Sequence, residues 1–378
     1  MKYVLIPFIL LFSFQTIAQV ITNNTSIQIN KSWSQAPNGY TYPMSVRVPT
    51  NPIPPDGFPI CILLHGNGGN GFGMVNQFSN LLECHVLVAP TGYENSWNIC
   101  GEESDAPDIE MVDELVEILK GFTNINPNKI RIIGSSNGAG LANNLFIQND
   151  DPSIDIVCAI VSHLNEPQYH IDEFYYPSDE TNPTEDFCAY DIPKIPLASR
   201  KYLSISNDND PIIPYQGGPS VVGFDFLPAE EAAYFIALNQ GYNGNQQFSG
   251  TTIGNPAITV FSYLSDKVVH IKGNANHGTN PTQRDYIKSF LSDCELVNNV
   301  STPKSEGLKI YPNPTNDVIF VDGLSNHQTS YSLVDLKGQF ILNGFVSSET
   351  NKIELSELSP GTYFLCMGNS KFKILKLE

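Results

Sequence analysis

Short runs of apolar residues alternate with helical patterns through the first 298 residues. Uninterrupted apolar runs are typical of strands buried on both faces of a parallel sheet. The alternation therefore predicts an α/β domain whose mostly parallel sheet is flanked by helices. The main predicted strands are Ile60–Leu64, Val86–Ala89, Lys129–Ile133, Ile154–Val161, Tyr202–Ile205, Thr259–Tyr263 and Val268–Ile271, and the predicted helices are Met74–Leu82, Ile109–Leu119, Ala229–Asn239 and Gln283–Leu296.

The pattern changes after residue 298. Residues 299–307 are polar, with Ser, Thr and Pro, and indicate a linker. Residues 308–378 hold short apolar runs separated by Gly, Asn and Ser, without a helical pattern. The sequence thus predicts a domain over residues 19–298 and a small all-β, sandwich-like domain over residues 308–378.

The N-terminal residues have the form of a secretory signal peptide. Lys2 supplies a positive charge, an apolar run follows, and Thr16-Ile17-Ala18 offers small residues for cleavage. We expect residues 1–18 to be removed, which leaves Gln19 as the new N-terminus. No other stretch is long and apolar enough to predict a transmembrane segment.

The formal net charge of −19 and the isoelectric point of about 4.6 limit the classes of partner. Nucleic acid and anionic membrane surfaces attract basic proteins, so we expect neither as a partner.

The pentapeptide Gly134-Ser135-Ser136-Asn137-Gly138 lies between a predicted strand and a helical pattern. Strand, Gly-x-Ser-x-Gly and helix form the setting of a nucleophile elbow, in which a tight turn projects the central hydroxyl. Without other evidence a plain Gly/Ser turn is the better interpretation of the pentapeptide. With its flanks it predicts Ser136 as a nucleophile.

A serine nucleophile requires a base and an acid, in the chain order serine, acid, histidine for this type of fold. His277 is the preferred base because it lies in a loop after the last predicted strand, whereas His270 lies within that strand. The acid should follow an earlier strand, where Asp208 and Asp210 occur close together. The residues alone do not separate these two carboxylates.

An oxyanion hole requires backbone N–H groups. The residue after the nucleophile, Asn137, supplies one. His65-Gly66-Asn67-Gly68-Gly69 follows an early strand and has the form of an esterase oxyanion loop, so the N–H of Asn67 is the second predicted donor.

Other candidate residues surround this predicted site. Trp97 is a possible substrate contact, with a core position as the alternative. Residues 163–195 are irregular and acidic, and predict a loop insertion over one end of the sheet. Cys100 and Cys188 are the better disulfide candidates, whereas Cys61 and Cys158 lie in apolar runs. No cysteine spacing indicates a zinc site, and no metal or cofactor is expected.

Residues 58–293 resemble the secreted α/β-hydrolase esterases grouped with polyhydroxybutyrate depolymerases and feruloyl esterases. The resemblance rests on the oxyanion loop, the Ser136 pentapeptide, Asp210-Pro211-Ile212-Ile213-Pro214-Tyr215 and His277. It implies an α/β-hydrolase fold, it selects Asp210 rather than Asp208 as the triad acid, and it supports His277 as the base.

Residues 308–378 resemble the C-terminal sorting domain of the type IX secretion system. The resemblance rests on Tyr311-Pro312-Asn313-Pro314, on Val334-Asp335-Leu336-Lys337-Gly338 and on Leu358-Ser359-Pro360-Gly361-Thr362-Tyr363. It implies passage through the periplasm and across the outer membrane, with the secretion machinery as a partner. A carbohydrate-binding sandwich is the alternative for this domain.

Together these patterns predict a secreted or surface-attached serine ester hydrolase. The expected substrates are hydroxyalkanoate polyesters or oligomers, or feruloyl and acetyl esters of polysaccharides. A serine peptidase on the same fold and a non-catalytic surface or adhesion protein are the alternatives.

Overall fold

The computed structural model of the chain describes residues 19–178, 187–292, 308–324, 329–335, 340–367 and 370–377. It divides the chain into two units, residues 1–295 and 296–378. The predicted signal peptide, residues 1–18, and the predicted linker, residues 299–307, lie outside the described residues.

Strands and helices alternate along the first unit. Its strands are β1 Asn30–Trp33, β2 Ala36–Thr41, β3 Met44–Arg47, β4 Phe58–Leu64, β5 Val86–Pro90, β6 Ile125–Ser135, β7 Ile154–Ile160, β8 Tyr169–His170, β9 Glu173–Tyr176, β10 Ile192–Lys194, β11 Lys201–Asn207, β12 Gly218–Pro219, β13 Asp225–Phe226, β14 Thr251–Ile253, β15 Ile258–Tyr263 and β16 Val268–Gly273. Its helices are α1 Gly71–Phe78, α2 Asp108–Lys120, α3 Asn137–Gln148, α4 Ala229–Asn239 and α5 Pro281–Leu291.

Among the described residues, nine strands form the main sheet, in the order β14-β15-β16-β11-β7-β6-β4-β5-β3. The six strands from β16 to β5 run parallel, and β3, β15 and β14 add antiparallel pairs at the two edges. The mostly parallel sheet is therefore as the apolar runs predict. Short β14 has the sequence Thr-Thr-Ile, is exposed throughout and gives no apolar run, so the sequence does not reveal it.

The order of the central strands creates a crevice where the site forms. The chain leaves β4 through α1 to β5 on one side, and then returns through α2 to β6 on the other side of β4. Ligands of open α/β sheets bind beyond the carboxyl ends of strands at such a reversal. Leu64 pairs with Gly134 in this register. The chain therefore leaves the two strands side by side, through His65 after β4 and through Ser135 at the end of β6.

Both faces of the sheet are covered, which explains the uninterrupted apolar runs. In β4, Ile60 and Ile62 enter the hydrophobic core on one face, with α2, α3 and α4. Cys61 and Leu63 enter the core on the other face, with α1 and α5. A strand buried on both sides has no solvent face, and its alternation is lost.

The predicted loop insertion contains short strands in its described part. β8, β9 and β10 form an antiparallel sheet of three strands, so the expectation of irregular structure is wrong for residues 169–176 and 192–194. Strands of two to four residues are too short for a periodic pattern to appear in the sequence. Residues 179–186 of the insertion lie outside the described residues.

The second unit is all-β in its described part. Its strands are β17 Lys309–Tyr311, β18 Val318–Asp322, β19 Thr329–Val334, β20 Phe340–Val346, β21 Lys352–Glu354, β22 Gly361–Met367 and β23 Ser370–Lys376. They form two sheets, β17-β18-β21 and β20-β19-β22-β23. Residues of both sheets, including Ile319 and Leu365, share one hydrophobic core, as in a small sandwich.

Candidate active site

Ser136 lies at a sharp turn between β6 and α3. Its backbone φ of 54° and ψ of −120° are outside the usual regions for a non-glycine residue, which costs about 1–3 kcal/mol. The flanking glycines allow the turn to form. A Cβ on Gly134 would overlap the carbonyl of Gly138, and a Cβ on Gly138 would overlap the backbone of Leu64 and His65.

A hydrogen-bonded chain joins the nucleophile, base and acid candidates. Ser136 Oγ lies 2.7 Å from His277 Nε2, and His277 Nδ1 lies 2.8 Å from Asp210 Oδ2. The serine follows β6, the aspartate follows β11 and the histidine follows β16. This chain order and these strand ends are those of the α/β-hydrolase fold.

Asp210 is fixed in its orientation by the backbone that follows it. Its Oδ1 accepts hydrogen bonds from the N–H groups of Ile212, at 2.8 Å, and Ile213, at 3.1 Å. Its side chain is only 2% exposed. Asp208, the other carboxylate that the residues alone left open, is exposed, and no described hydrogen bond joins its side chain to His277.

Asn207 supports the loop that carries His277. This buried side chain donates to the carbonyl of Asn276 at 2.7 Å and to that of Gly278 at 2.9 Å, so both neighbours of the histidine are hydrogen-bonded to it. Its Oδ1 accepts from Gln283 Nε2 at 2.9 Å. Asn207 is not among the predicted site residues, and the available signal for it is its place at the end of β11, before the acid.

The two predicted oxyanion donors line a cavity beside Ser136. No described hydrogen bond occupies the N–H of Asn67 or of Asn137. Asn137 begins α3, so its N–H has no carbonyl in a preceding helical turn. A Cβ built on Gly66 would lie 3.3 Å from Ser136 Cβ, which shows how closely the loop approaches the nucleophile.

His65 stabilises the predicted oxyanion loop through hydrogen bonds of its ring. It is buried, and burial lowers its pKa, which favours the neutral ring. Its Nε2 accepts from the N–H of Gly92 at 3.0 Å, so Nδ1 carries the proton and donates to the carbonyl of Gly66 at 2.8 Å. Gly68 N–H also donates to the carbonyl of Asn95 at 2.9 Å.

Trp97 is a core residue and does not line the cavity. Its side chain is fully buried, its indole N–H donates to the carbonyl of His65 at 2.8 Å, and its ring packs on the His65 ring at 4.7 Å between centroids. Of the two alternatives for Trp97, the core position is the one found, because the indole packs against the protein side of the oxyanion loop and is not exposed to the cavity.

The side chain of Asn137 connects the nucleophile turn to the loop of residues 96–103. Its Oδ1 accepts from Trp97 N–H at 2.8 Å, and its Nδ2 donates to the Trp97 carbonyl at 3.0 Å and to Glu102 Oε1 at 3.1 Å. Glu102 Oε2 also accepts from the N–H groups of Ile99 and Cys100. No sequence pattern indicates this role of Glu102, because the contact spans 35 residues.

A disulfide joins Cys100 to Cys188 and links this loop to the insertion. Cys61 and Cys158 are buried free thiols within β4 and β7. The distinction drawn from the sequence between loop and core cysteines is confirmed for these four residues.

The other histidines near the sheet have separate partners. His270 is buried and bonds to Tyr215 Oη at 3.0 Å, and burial lowers its pKa to about 3. His163 is also buried, with its pKa lowered to about 4 by burial, and it bonds to Ser206 and to the Leu227 carbonyl. His170 stacks on Tyr175. Only His277 among the described histidines contacts Ser136.

A cavity of about 490 Å³ opens at Ser136, with Asn67 and Asn137 in its wall. Within the described part of the chain, no cluster of three or more His, Cys, Asp or Glu residues is arranged to hold a metal ion. None of the described helices is long and apolar enough to cross a membrane.

Comparison with known proteins gives one match of sequence and several of structure. Residues 309–377 match the family model of the secretion system C-terminal sorting domain, which marks a chain for type IX secretion to the cell surface or beyond. No curated protein sequence matches the chain.

Similar solved structures include a carboxylesterase from Bacillus cereus, which is 14% identical with a TM-score of 0.39 and covers 66% of this chain and 93% of its own. An acetyl xylan esterase from Aspergillus awamori is 13% identical with a TM-score of 0.41 and covers 66% of this chain and 94% of its own. Activities of proteins this distant are not carried over to this chain.

Proposed function

We propose that the protein is an exported serine carboxylic ester hydrolase with Ser136, His277 and Asp210 as its catalytic triad. The observation that carries the proposal is the hydrogen-bonded chain from Ser136 Oγ through His277 to Asp210. A buried acid, a base and a strained serine at one cavity are arranged for nucleophilic acyl transfer. The sorting domain is consistent with work outside the cell.

The first half-reaction forms an acyl-enzyme. Ser136 Oγ attacks the ester carbonyl carbon while its proton passes to His277 Nε2, and the carbonyl oxygen takes up negative charge. The N–H groups of Asn67 and Asn137 stabilise that oxyanion. When the tetrahedral intermediate collapses, the C–O bond to the alcohol breaks and His277 returns its proton to the leaving alkoxide.

The second half-reaction releases the acid. His277 takes a proton from water, whose oxygen attacks the acyl carbonyl, and a second oxyanion forms at the same two N–H groups. Collapse breaks the bond to Ser136 Oγ, which recovers its proton from His277. Asp210 stabilises the imidazolium in both halves and holds the proton on Nδ1.

The proposed substrates are hydroxyalkanoate polyesters or oligomers, and feruloyl or acetyl esters of polysaccharides. A cavity of about 490 Å³ accommodates an acyl group of this size. Apolar side chains, including Ile213 and Phe226, form part of its lining and offer a surface to an alkyl or aromatic acyl chain.

Substitution of the nucleophile tests the proposal. Ser136→Ala is expected to lower kcat for short p-nitrophenyl esters by on the order of 10⁴-fold or more. The matched control is Ser135→Ala, which changes the neighbouring hydroxyl and is expected to keep activity within about threefold. The proposal fails if the wild-type protein hydrolyses none of these esters, or if Ser136→Ala retains the activity.

A substrate panel then identifies the class of bond. Polyhydroxybutyrate, methyl ferulate and acetylated xylan are compared with peptide substrates, all with the wild-type protein and Ser136→Ala. Peptide cleavage that depends on Ser136 and exceeds ester cleavage would reassign the protein as a serine peptidase.

A further inference from the structure

Three acidic side chains, together called the acidic wall, belong to the lining of the cavity that contains Ser136. They belong to Glu94, Glu102 and Glu103, all in the segment that follows β5. Glu102 is partly buried and bonds to Asn137, whereas Glu94 and Glu103 are exposed. Among the described residues no ion pair involves Glu94 or Glu103, so no neutralising partner is described for either charge.

No cationic side chain contributes to the lining. The lining residues fall within three stretches of sequence, residues 48–119, 132–193 and 202–266. None of these stretches contains a single Lys or Arg. The acidic wall is therefore uncompensated over the whole of the described cavity.

A different wall of the cavity is apolar. It includes Ile213, Val221, Val222, Phe224 and Phe226, from the segment that follows Asp210. Val221 is 73% exposed and Val222 is 44% exposed, so these side chains are available to a substrate. The cavity thus combines an apolar surface, which accepts any alkyl chain, with a charged surface that distinguishes ions.

We propose that this cavity selects esters by charge: it accepts neutral and cationic esters and rejects those with a carboxylate next to the reacting group. The proposal rests on the proposed function of the same site. Glu94 and Glu103 repel an anion over several ångströms, and because both charges are exposed, salt screens the repulsion. Glu102 adds its charge but is kept out of the test, because it also positions Asn137.

The selection has a consequence for oligomeric substrates. A hydroxyalkanoate oligomer ends in a free carboxylate, and its last ester bond places that anion near the cleaved carbonyl. The acidic wall disfavours binding of the oligomer with its last ester bond at Ser136. The enzyme should therefore cleave internal bonds of such oligomers faster than the bond next to the carboxylate end.

Isosteric substrate pairs test the charge selection. Monoethyl adipate and ethyl adipamate differ in a carboxylate against a neutral amide, and butyrylcholine and 3,3-dimethylbutyl butyrate differ in a cationic nitrogen against carbon. Hydrolysis is followed by pH-stat titration with the full chain at low salt. We expect kcat/KM to be about 10- to 100-fold lower for the anionic ester than for its neutral partner.

The variant Glu94→Gln/Glu103→Gln is expected to reduce that ratio by about 5- to 30-fold. The control variant Asp56→Asn/Glu83→Gln removes two exposed charges outside the cavity lining and is expected to leave the ratio unchanged. In the wild type, 0.5 M NaCl should also reduce the ratio, which tests the inference without any substitution.

The outcomes distinguish a failure of the charge selection from a failure of the proposed ester hydrolase function. If no neutral ester is hydrolysed, the proposed function itself fails. If neutral esters are hydrolysed and the anionic ester is hydrolysed equally well, or if the wild-type ratio is insensitive to salt, only the charge selection is overturned.

Discussion

Asp210→Asn provides the sharpest test of the geometry around His277. Asp210 Oδ1 accepts two backbone N–H groups, so in the variant this position must remain the amide oxygen. The amide nitrogen then occupies the place of Oδ2, 2.8 Å from His277 Nδ1, and donates to it. His277 is forced to carry its proton on Nε2, where it can no longer accept a proton from Ser136.

The size of the effect follows from the loss of the base. A wrong histidine tautomer in a serine triad costs on the order of 10⁴-fold in kcat. This factor corresponds to about 5.5 kcal/mol in the activation free energy. The KM for a short ester should change little, because the Asp210 side chain is buried and is not among the residues that line the cavity. The fold should persist, because both backbone hydrogen bonds to Oδ1 are kept.

The assay is steady-state hydrolysis of p-nitrophenyl butyrate, with Asp208→Asn as the matched control. Asp208 is two residues away, exposed, and its side chain has no described hydrogen bond, so its replacement should leave kcat within about threefold. The reasoning is refuted if Asp210→Asn retains more than about a tenth of the wild-type kcat while remaining folded, or if Asp208→Asn causes the larger loss.

Three further predictions concern the supports of the site. Asp108, at the start of α2, accepts a hydrogen bond from the N–H of Asn98 in the loop of residues 96–103, and burial raises its pKa to about 7. Between pH 4 and 7 the native carboxyl therefore keeps a proton that the unfolded chain has released, so the free energy of unfolding should fall by a few kcal/mol as the pH rises through this range. Urea unfolding of Asp108→Asn should lose this dependence. Asn207→Ala removes the side-chain donor of two loop carbonyls, those of Asn276 and Gly278, and should lower the free energy of unfolding by about 1–3 kcal/mol, with a fall in kcat larger than any change in KM. Replacing Cys100 and Cys188 with Ser opens a loop of 88 residues and should cost about 2–4 kcal/mol, measured by thermal unfolding with and without reductant.

The sequence predicts the fold of the first unit well because its strands are buried on both faces. Each buried strand, such as β4, gives an unbroken apolar run, which can be recognised in the sequence without knowing the strands that pair with it. Helix α4 has the predicted bounds, but α5 begins at Pro281 rather than at Gln283, because Asn280 caps it and Gln283 completes the capping box. A cap is a local signal that the apolar spacing alone does not include.

The site is predictable to the extent that its chemistry is local. Ser136 is marked by its own pentapeptide, and His277 by its place after the last parallel strand. In the structure Asp210 differs from Asp208 because the backbone N–H groups two and three residues after it orient its carboxylate. These hydrogen bonds cannot be inferred from a loop that is simply rich in Asp and Asn. The contact of Glu102 with Asn137 depends on the meeting of two loops, and no sequence pattern encodes that meeting.

Two asparagine side chains keep the strained serine and two loops in a common geometry. Asn137, next to Ser136, is hydrogen-bonded to the loop of residues 96–103, and Asn207, three residues before Asp210, is hydrogen-bonded to the loop that carries His277. Both side chains are amides, which donate and accept hydrogen bonds at the same time and carry no charge that would alter the electrostatics of the triad. The proposed catalytic groups are thus held mainly by side-chain amides, while Glu94 and Glu103 of the cavity lining have no described ion pair and leave their charge to act on a substrate.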